Sequence, residues 1–280
     1  MREIHIDTII ENVKTMCIKA NEKLPHDVES CIKKACNNEV WPTAQNILSN
    51  IVDNIEIAKE ENVPLCQDTG MAVFFVKLGQ EVHITGGLLT DAINEGVRQG
   101  YQEGYLRKSV VKDPLNRVNT KDNTPAVIHY DLVSGDNIEI TFAPKGFGSE
   151  NMSQTRMLPP SAGVEGVRNF VLESVKKAGP NPCPPIVVGV GIGGTFEKVA
   201  YLAKNALNRD IDEYNSDPYY EELEKSLLSD INALGIGPMG FGGKTTALKV
   251  SIETYPTHIA GLPVAININC HVARHLTVVL

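Results

Sequence analysis

Apolar residues recur at helical spacing from Ile6 to about Glu61, with Ile9, Ile10, Val13 and Met16 marking one stripe and Ile47, Leu48, Ile51, Ile55 and Ala58 another. That spacing predicts a helical opening segment. Asn62-Val63-Pro64 closes its last helix, because the residue before a proline is pushed out of the helical region. Residues 71–78 then read as a strand and residues 87–104 as a helix that begins near Thr85. Two alternating apolar runs, 126–133 and 137–143, flank the turn cluster Ser134-Gly135-Asp136 and predict a hairpin. Further along, 162–177, 195–208 and 219–234 carry helical patterns, 186–190 is a buried strand, and 246–255 and 262–269 are strands. No regular βαβ repeat runs through these elements. The pattern predicts a mixed α/β (α+β) fold in which a helical N-terminal segment precedes mixed sheets flanked by helices.

Composition narrows the class. A chain of 280 residues, 42% hydrophobic with a mean hydropathy of −0.12, has the make-up of a globular protein with a sizeable core. One domain over 1–280 is expected, with the helical segment 1–62 as a possible second lobe. The longest apolar runs, 185–190 and 260–268, are too short or too interrupted to span a bilayer, and the N-terminus lacks the apolar core of a signal peptide. No membrane role and a cytoplasmic location are expected. A formal net charge of −8 with no basic stripe argues against nucleic-acid binding. The six cysteines, in a long chain without a secretion signal, are expected as reduced thiols. Cys17, Cys31 and Cys36 fall in helical patterns and read as small buried apolar residues.

Cys66, Cys183 and Cys270 have a different setting. Each lies at a turn or strand end, in Pro64-Leu65-Cys66-Gln67-Asp68-Thr69-Gly70, Asn181-Pro182-Cys183-Pro184-Pro185 and Ile268-Asn269-Cys270-His271. Structural zinc takes four ligands in close pairs, whereas three lone thiolates suit an iron–sulfur cluster with one iron left open. Gln67 and Asp68 would put an amide and a carboxylate beside a metal held by Cys66, although Asp68-Thr69-Gly70 is equally a turn with a self-bonding aspartate. Arg107, Lys108 and Lys145 each read alone as a solvated surface charge, but in an acidic protein with a cationic site they are the partners that a small dicarboxylate would need. His258 and His271 lie nearest Cys270, and a buried, satisfied imidazole is the plain reading of both. Two nucleotide motifs fail. Gly189-Val190-Gly191-Ile192-Gly193-Gly194 follows a strand, but no apolar second strand comes after its helix, so these glycines are read as letting the backbone approach a ligand or a neighbouring element. Gly242-Gly243-Lys244-Thr245-Thr246 has Pro238 where a phosphate loop needs its first glycine, and the stretch from Gly235 to Gly240 reads as a glycine-rich loop packing near a site.

Taken together and in order, the Cys66 and Cys270 segments, Lys145-Gly146-Phe147-Gly148-Ser149-Glu150-Asn151, and Cys183-Pro184-Pro185 leading into the 189–194 glycines resemble the α subunit of class I, iron–sulfur-dependent fumarate hydratase and its relative L(+)-tartrate dehydratase. The resemblance covers nearly the whole chain. It implies a four-iron, four-sulfur (4Fe-4S) cluster on Cys66, Cys183 and Cys270, whose open iron polarises the hydroxyl of malate in the reversible hydration of fumarate. It further implies Asp68 as acid/base, substrate contacts from Gln67, Arg107, Lys145, Gly148 and His258, a β subunit that completes the site, and a higher oligomer. One departure is Phe147, where the family pattern leads one to expect a third glycine. Two other classes remain open at this point: a non-enzymatic iron–sulfur electron carrier or redox sensor, which would need a fourth cysteine ligand, and a structural subunit without chemistry of its own.

Overall fold

The structure, a computed structural model, describes Arg2–Leu280. In chain order its elements are β1 (Arg2–His5), α1 (Ile6–Glu22), α2 (His26–Asn38), α3 (Pro42–Glu61), β2 (Met71–Gly79), β3 (Val82–Thr85), α4 (Leu89–Glu103), β4 (Val127–Val133), β5 (Ile138–Lys145), α5 (Phe147–Glu150), β6 (Gln154–Leu158), α6 (Gly163–Ala178), β7 (Ile186–Gly193), α7 (Phe196–Asn205), α8 (Pro218–Ala233), β8 (Ala247–Tyr255), β9 (Leu262–Asn269) and β10 (Leu276–Val279). The mixed α/β class and the helical opening are as the sequence predicts. The chain divides into two compact units, one from residues up to Pro25 with Glu56–Phe147 and Arg274–Leu280, the other from His26–Ile55 with Gly148–Ala273.

The first unit is built on a four-stranded sheet of order β10-β5-β2-β4, with a separate two-stranded parallel ribbon of β1 and β3. β2 is buried over five consecutive residues, Ala72–Val76, and so has apolar side chains on both faces. A strand of that kind belongs in the middle of a sheet. This corrects the predicted hairpin: β4 and β5 do not pair with each other, because β2 lies between them, antiparallel to β5 and parallel to β4. The chain ends on either side of the Ser134-Gly135-Asp136 turn are spread by the end of β2, with Gln80 N–H donating to Val133 O and Gly79 N–H to Asn137 O. α1 and α4 pack closely, and the glycines of α4 explain how. A Cβ at Gly96 would stand 2.6 Å from that of Val13, and one at Gly100 2.7 Å from that of Cys17. Cys17 is wholly buried there, as the sequence predicts, whereas Cys31 and Cys36 are only half-buried.

The second unit carries a sheet of order β6-β9-β7-β8, in which β9 is antiparallel to both neighbours and β7 and β8 run parallel. β7 has a different layer on each face. Ile186, Val188 and Val190 point into a core with Val167, Phe170 and Val171 of α6 and Leu227 and Ile231 of α8. On the other face Gly189 and Gly191 take α7 so closely that an added Cβ would come within 2.1 Å of Ala203 O and 2.2 Å of Val199 O. The glycine run therefore serves close helix-on-strand packing, the second of the two roles expected of it.

Candidate active site

In the first unit the chain leaves α3, passes the buried Leu65, whose N–H donates to Asn21 O, and turns at Cys66. The Asp68 N–H points at Cys66 Sγ, 3.4 Å away. The Asp68 carboxylate accepts the Gly70 N–H on Oδ1 at 3.0 Å and the Phe147 N–H on Oδ2 at 3.1 Å. The first is the self-bonding turn expected of this sequence; the second ties the carboxylate to the loop after β5. Gly70 is required here: its φ is +78°, and a Cβ would stand 2.8 Å from Lys145 N. Gln67 and Arg107 are exposed, Lys145 is buried, and the Arg107 carbonyl accepts from Thr69 Oγ1 at 3.2 Å.

Three residues that sequence reasoning missed hold this turn from behind. The buried Tyr101 hydroxyl donates to Thr69 O and Gly70 O, both at 3.0 Å, and Asn123 Nδ2 donates to Gly70 O at 3.2 Å. Arg274 Nη2 donates to Asp68 O at 2.8 Å, with the residue only 5% exposed and its Nε buried without a hydrogen-bond partner. Burial pushes the Tyr101 phenol well above its ordinary value, so it remains a proton donor. Tyr101 lies on the apolar stripe of α4, where it reads as core. The buried asparagine and arginine carry no signal in one sequence.

In the second unit, Cys183 precedes β7 and Cys270 follows β9. Because these strands are antiparallel, with Val187 opposite Asn269, both cysteines come to the same end of the sheet. His271, next to Cys270, donates its N–H to Cys183 O at 3.3 Å, and its Nδ1 lies 3.0 Å from the same oxygen. Cys183 has φ +55°, an uncommon conformation for a residue with a side chain. The glycine-rich loop packs against this segment: Met239 N–H donates to Pro184 O at 2.8 Å, and a Cβ at Gly240 would meet Pro180 at 2.4 Å. Gly148 is exposed in α5. In the same helix Glu150 pairs with Lys204 and accepts from Asn267 Nδ2 of β9. His258 is exposed in a turn, its Nδ1 accepting the Ala260 N–H at 3.2 Å, and is not the buried imidazole of the plain reading.

Among the described residues no three His, Cys, Asp or Glu side chains gather as a group able to hold a metal ion. Two of the three expected cluster cysteines, Cys183 and Cys270, lie together in the second unit, and Cys66 is in the first. The donor set fits an iron–sulfur cluster better than a single hard cation. All six cysteines are thiols, the three at turns are each partly accessible, and the Cys66 sulfur already receives a main-chain N–H, as cluster-bound sulfurs do. No helix is long and apolar enough to cross a membrane among the described residues.

A model of the fumarate hydratase (Fumerase) family matches residues 10–279. The chain is 47% identical over 257 residues to the putative L(+)-tartrate dehydratase subunit alpha of Methanocaldococcus jannaschii, covering 90% of each chain. It is 32% identical over 276 residues to an L(+)-tartrate dehydratase subunit alpha of Escherichia coli, covering 97% of this chain and 90% of that one. A Shigella sonnei protein of the same name is 31% identical over 279 residues, covering 98% and 91%.

Proposed function

The chain belongs to the fumarate hydratase (Fumerase) family, and on that premise we propose that it is the α subunit of a two-subunit iron–sulfur hydro-lyase that interconverts fumarate and (S)-malate. The carrying observation is the family match over residues 10–279, joined to a carboxylate, Asp68, fixed two residues from a turn cysteine. The relatives named as alpha subunits support a β partner. Cys66, Cys183 and Cys270 would hold the cluster. When bound, the cluster supplies Lewis-acid chemistry at an iron that no side chain of this protein ligates.

The remaining chemistry belongs to the protein. Dehydration removes a proton from one carbon and a hydroxyl from its neighbour, so a base must sit beside the first carbon. Each Asp68 oxygen is committed to one main-chain N–H and keeps a further lone pair to take up or return that proton. The two N–H contacts fix the direction of that lone pair. The Arg107 guanidinium and the Gln67 amide, both exposed, are suited to grip a substrate carboxylate, with Lys145, Gly148 and His258 as further contacts. Anaerobic iron and sulfide analysis, with fumarate-to-malate turnover measured with and without the β partner, tests the reading. Expected are about four irons per chain and activity only in the pair. A cluster that cycles electrons but never hydrates would move the protein to the electron-carrier class. Asp68→Asn should cut turnover about a hundredfold or more with iron content unchanged, and near-normal turnover would remove Asp68 from the acid/base role.

A second reading, L(+)-tartrate dehydration, is favoured by the names of the relatives. Fumarate and tartrate chemistry differ by one substrate hydroxyl, and the ratio of kcat/KM for malate and L(+)-tartrate decides between them.

A further inference from the structure

The chain between α4 and β4 forms a finger rooted on the Cys66–Gly70 turn. At its base the Arg107 carbonyl accepts from Thr69 Oγ1 at 3.2 Å. Asn123 joins both arms to the turn, its Oδ1 accepting the Ser109 N–H at 2.8 Å while its Nδ2 donates to Gly70 O. The arms pair across Val111 and Asn119, with Thr120 N–H donating to Val110 O at 2.9 Å and Lys112 N–H to Val118 O at 2.8 Å.

The charge of this finger runs against that of the molecule. Residues 107–121 carry five cations, Arg107, Lys108, Lys112, Arg117 and Lys121, against one carboxylate, in a chain of net charge −8. All five are exposed, and none is in an ion pair with a described residue. The carboxylate, Asp113, is taken up by the tip, where Oδ1 accepts the Leu115 and Asn116 N–H groups. Asp122, just beyond, is held by Thr124 and Arg98. Lys121 has φ +70°, a conformation that glycine or asparagine takes with less strain. Like charges gathered on a short, partly strained finger repel one another, and an anion relieves that repulsion. A nucleic acid is a poor fit to one finger on an otherwise acidic chain. A small anion bound at the finger's root fits.

We propose that residues 107–121 are an electrostatic guide that gathers small dianions at the Cys66–Gly70 turn, with Lys112, Arg117 and Lys121 acting at a distance from the bound substrate. The inference rests on the functional reading above, in which a dicarboxylate binds beside Asp68. Strands rise about 3.3 Å per residue, which sets these three cations on average roughly 12 Å from the root. Over that distance they attract a dianion well at about 10 mM ionic strength, where the Debye length is about 30 Å, and weakly at about 0.15 M, where it is about 8 Å.

The test compares the cluster-loaded complex with the β subunit in wild-type form and as Lys112→Gln/Arg117→Gln/Lys121→Gln. For malate, kcat/KM should fall about tenfold in the variant at low salt and only about twofold at 0.15 M, with kcat unchanged. Calorimetric titration with succinate, an unreactive dianion, should show the same salt-dependent loss of affinity, and with succinamate, a monoanion, a loss of about the square root of that factor. Lys112→Arg/Arg117→Lys/Lys121→Arg, which keeps every charge, should match the wild type, as should Leu115→Ser at the tip. The guide is overturned by a charge-removing variant that loses affinity equally at both salt concentrations, that loses it equally for succinate and succinamate, or that lowers kcat. It is also overturned if Leu115→Ser reproduces the loss or releases the β subunit, since the finger would then be a protein contact. A wild type that turns over neither malate nor L(+)-tartrate removes the functional reading and the guide with it, whereas turnover and succinate affinity that the variant leaves unchanged at both salt concentrations remove the guide alone.

Discussion

Replacing Tyr101 with phenylalanine isolates the support behind the Cys66–Gly70 turn. The ring stays in place in its buried site, so no cavity forms, and only the hydroxyl is lost. That hydroxyl is 3.0 Å from both Thr69 O and Gly70 O. Gly70 O keeps Asn123 as a donor, whereas Thr69 O is left buried with none. An orphaned buried acceptor costs about 1–3 kcal/mol, and 1.4 kcal/mol is a factor of about ten in an opening equilibrium. Hydrogen–deuterium exchange of the full chain should therefore show residues 66–71 exchanging roughly ten times faster in Tyr101→Phe than in the wild type, with β7 and β9 of the second unit unchanged. The turn carries both Cys66 and Asp68, so turnover of the pair with the β subunit should fall alongside. Exchange at 66–71 within about twofold of wild type, well under the 1.4 kcal/mol step, would refute the claim that this hydroxyl holds the turn.

Gly189→Ala drives a Cβ to 2.1 Å from Ala203 O, a main-chain atom that cannot yield unless α7 moves off β7. Calorimetry should show a loss at the upper end of the roughly 1–3 kcal/mol typical of overpacking, and an unchanged melt would mean the two elements are not held that closely. Lys249 is 1% exposed, its amine donating to Glu213 O and lying 3.5 Å from the centre of the Tyr214 ring; burial lowers its pKa from 10.5 to about 8. Between those values the unfolded chain binds a proton that the folded chain does not, so stability rises with pH from about 8 to 10.5 by up to roughly 3 kcal/mol. Urea midpoints for wild type and Lys249→Met across that range should diverge, and parallel curves would contradict the buried amine. Arg274→Met removes one charge-assisted hydrogen bond, about 1.5–3 kcal/mol, together with a desolvation cost of similar or greater size. Urea unfolding of the cluster-free chain should show stability near or above wild type while turnover falls, and a loss beyond about 2 kcal/mol would make Arg274 chiefly a structural cation.

What could be read in the sequence and what could not divide along a physical line. Helices were legible because burying one face imposes a 3.6-residue stripe that any observer of the chain can count, and α6 and α8 lie within one residue of the predicted 162–177 and 219–234. Strand existence was legible for β2, β4, β5, β7, β8 and β9 for the matching reason. Short strands such as β1, β3, β6 and β10 contain too few alternations to stand out. Strand partners were not legible, and the β4–β5 hairpin failed because alternation reports which faces are buried and not which edge is occupied. The clue was available in β2, whose unbroken run Ala72–Val76 demands cover on both sides and therefore neighbours on both edges.

The same line runs through the site. Cys66, Cys183, Cys270 and Asp68 could be nominated as candidates by residue type, because few side chains suit a soft metal or a proton transfer. Their supports are invisible for a reason that goes beyond this protein. Tyr101, Asn123 and Arg274 act on Thr69, Gly70 and Asp68 through main-chain carbonyls, which every residue has alike. A side chain that recognises another side chain leaves two marks in a sequence, whereas one that recognises backbone leaves a single mark, and that mark is a tyrosine on an apolar stripe or a lone polar residue in a loop. The residues that hold Asp68 in place therefore become identifiable only when the fold brings a donor to a carbonyl. Their contribution can be measured by loop exchange independently of turnover, which separates the positioning of Asp68 from the acid/base chemistry proposed for it.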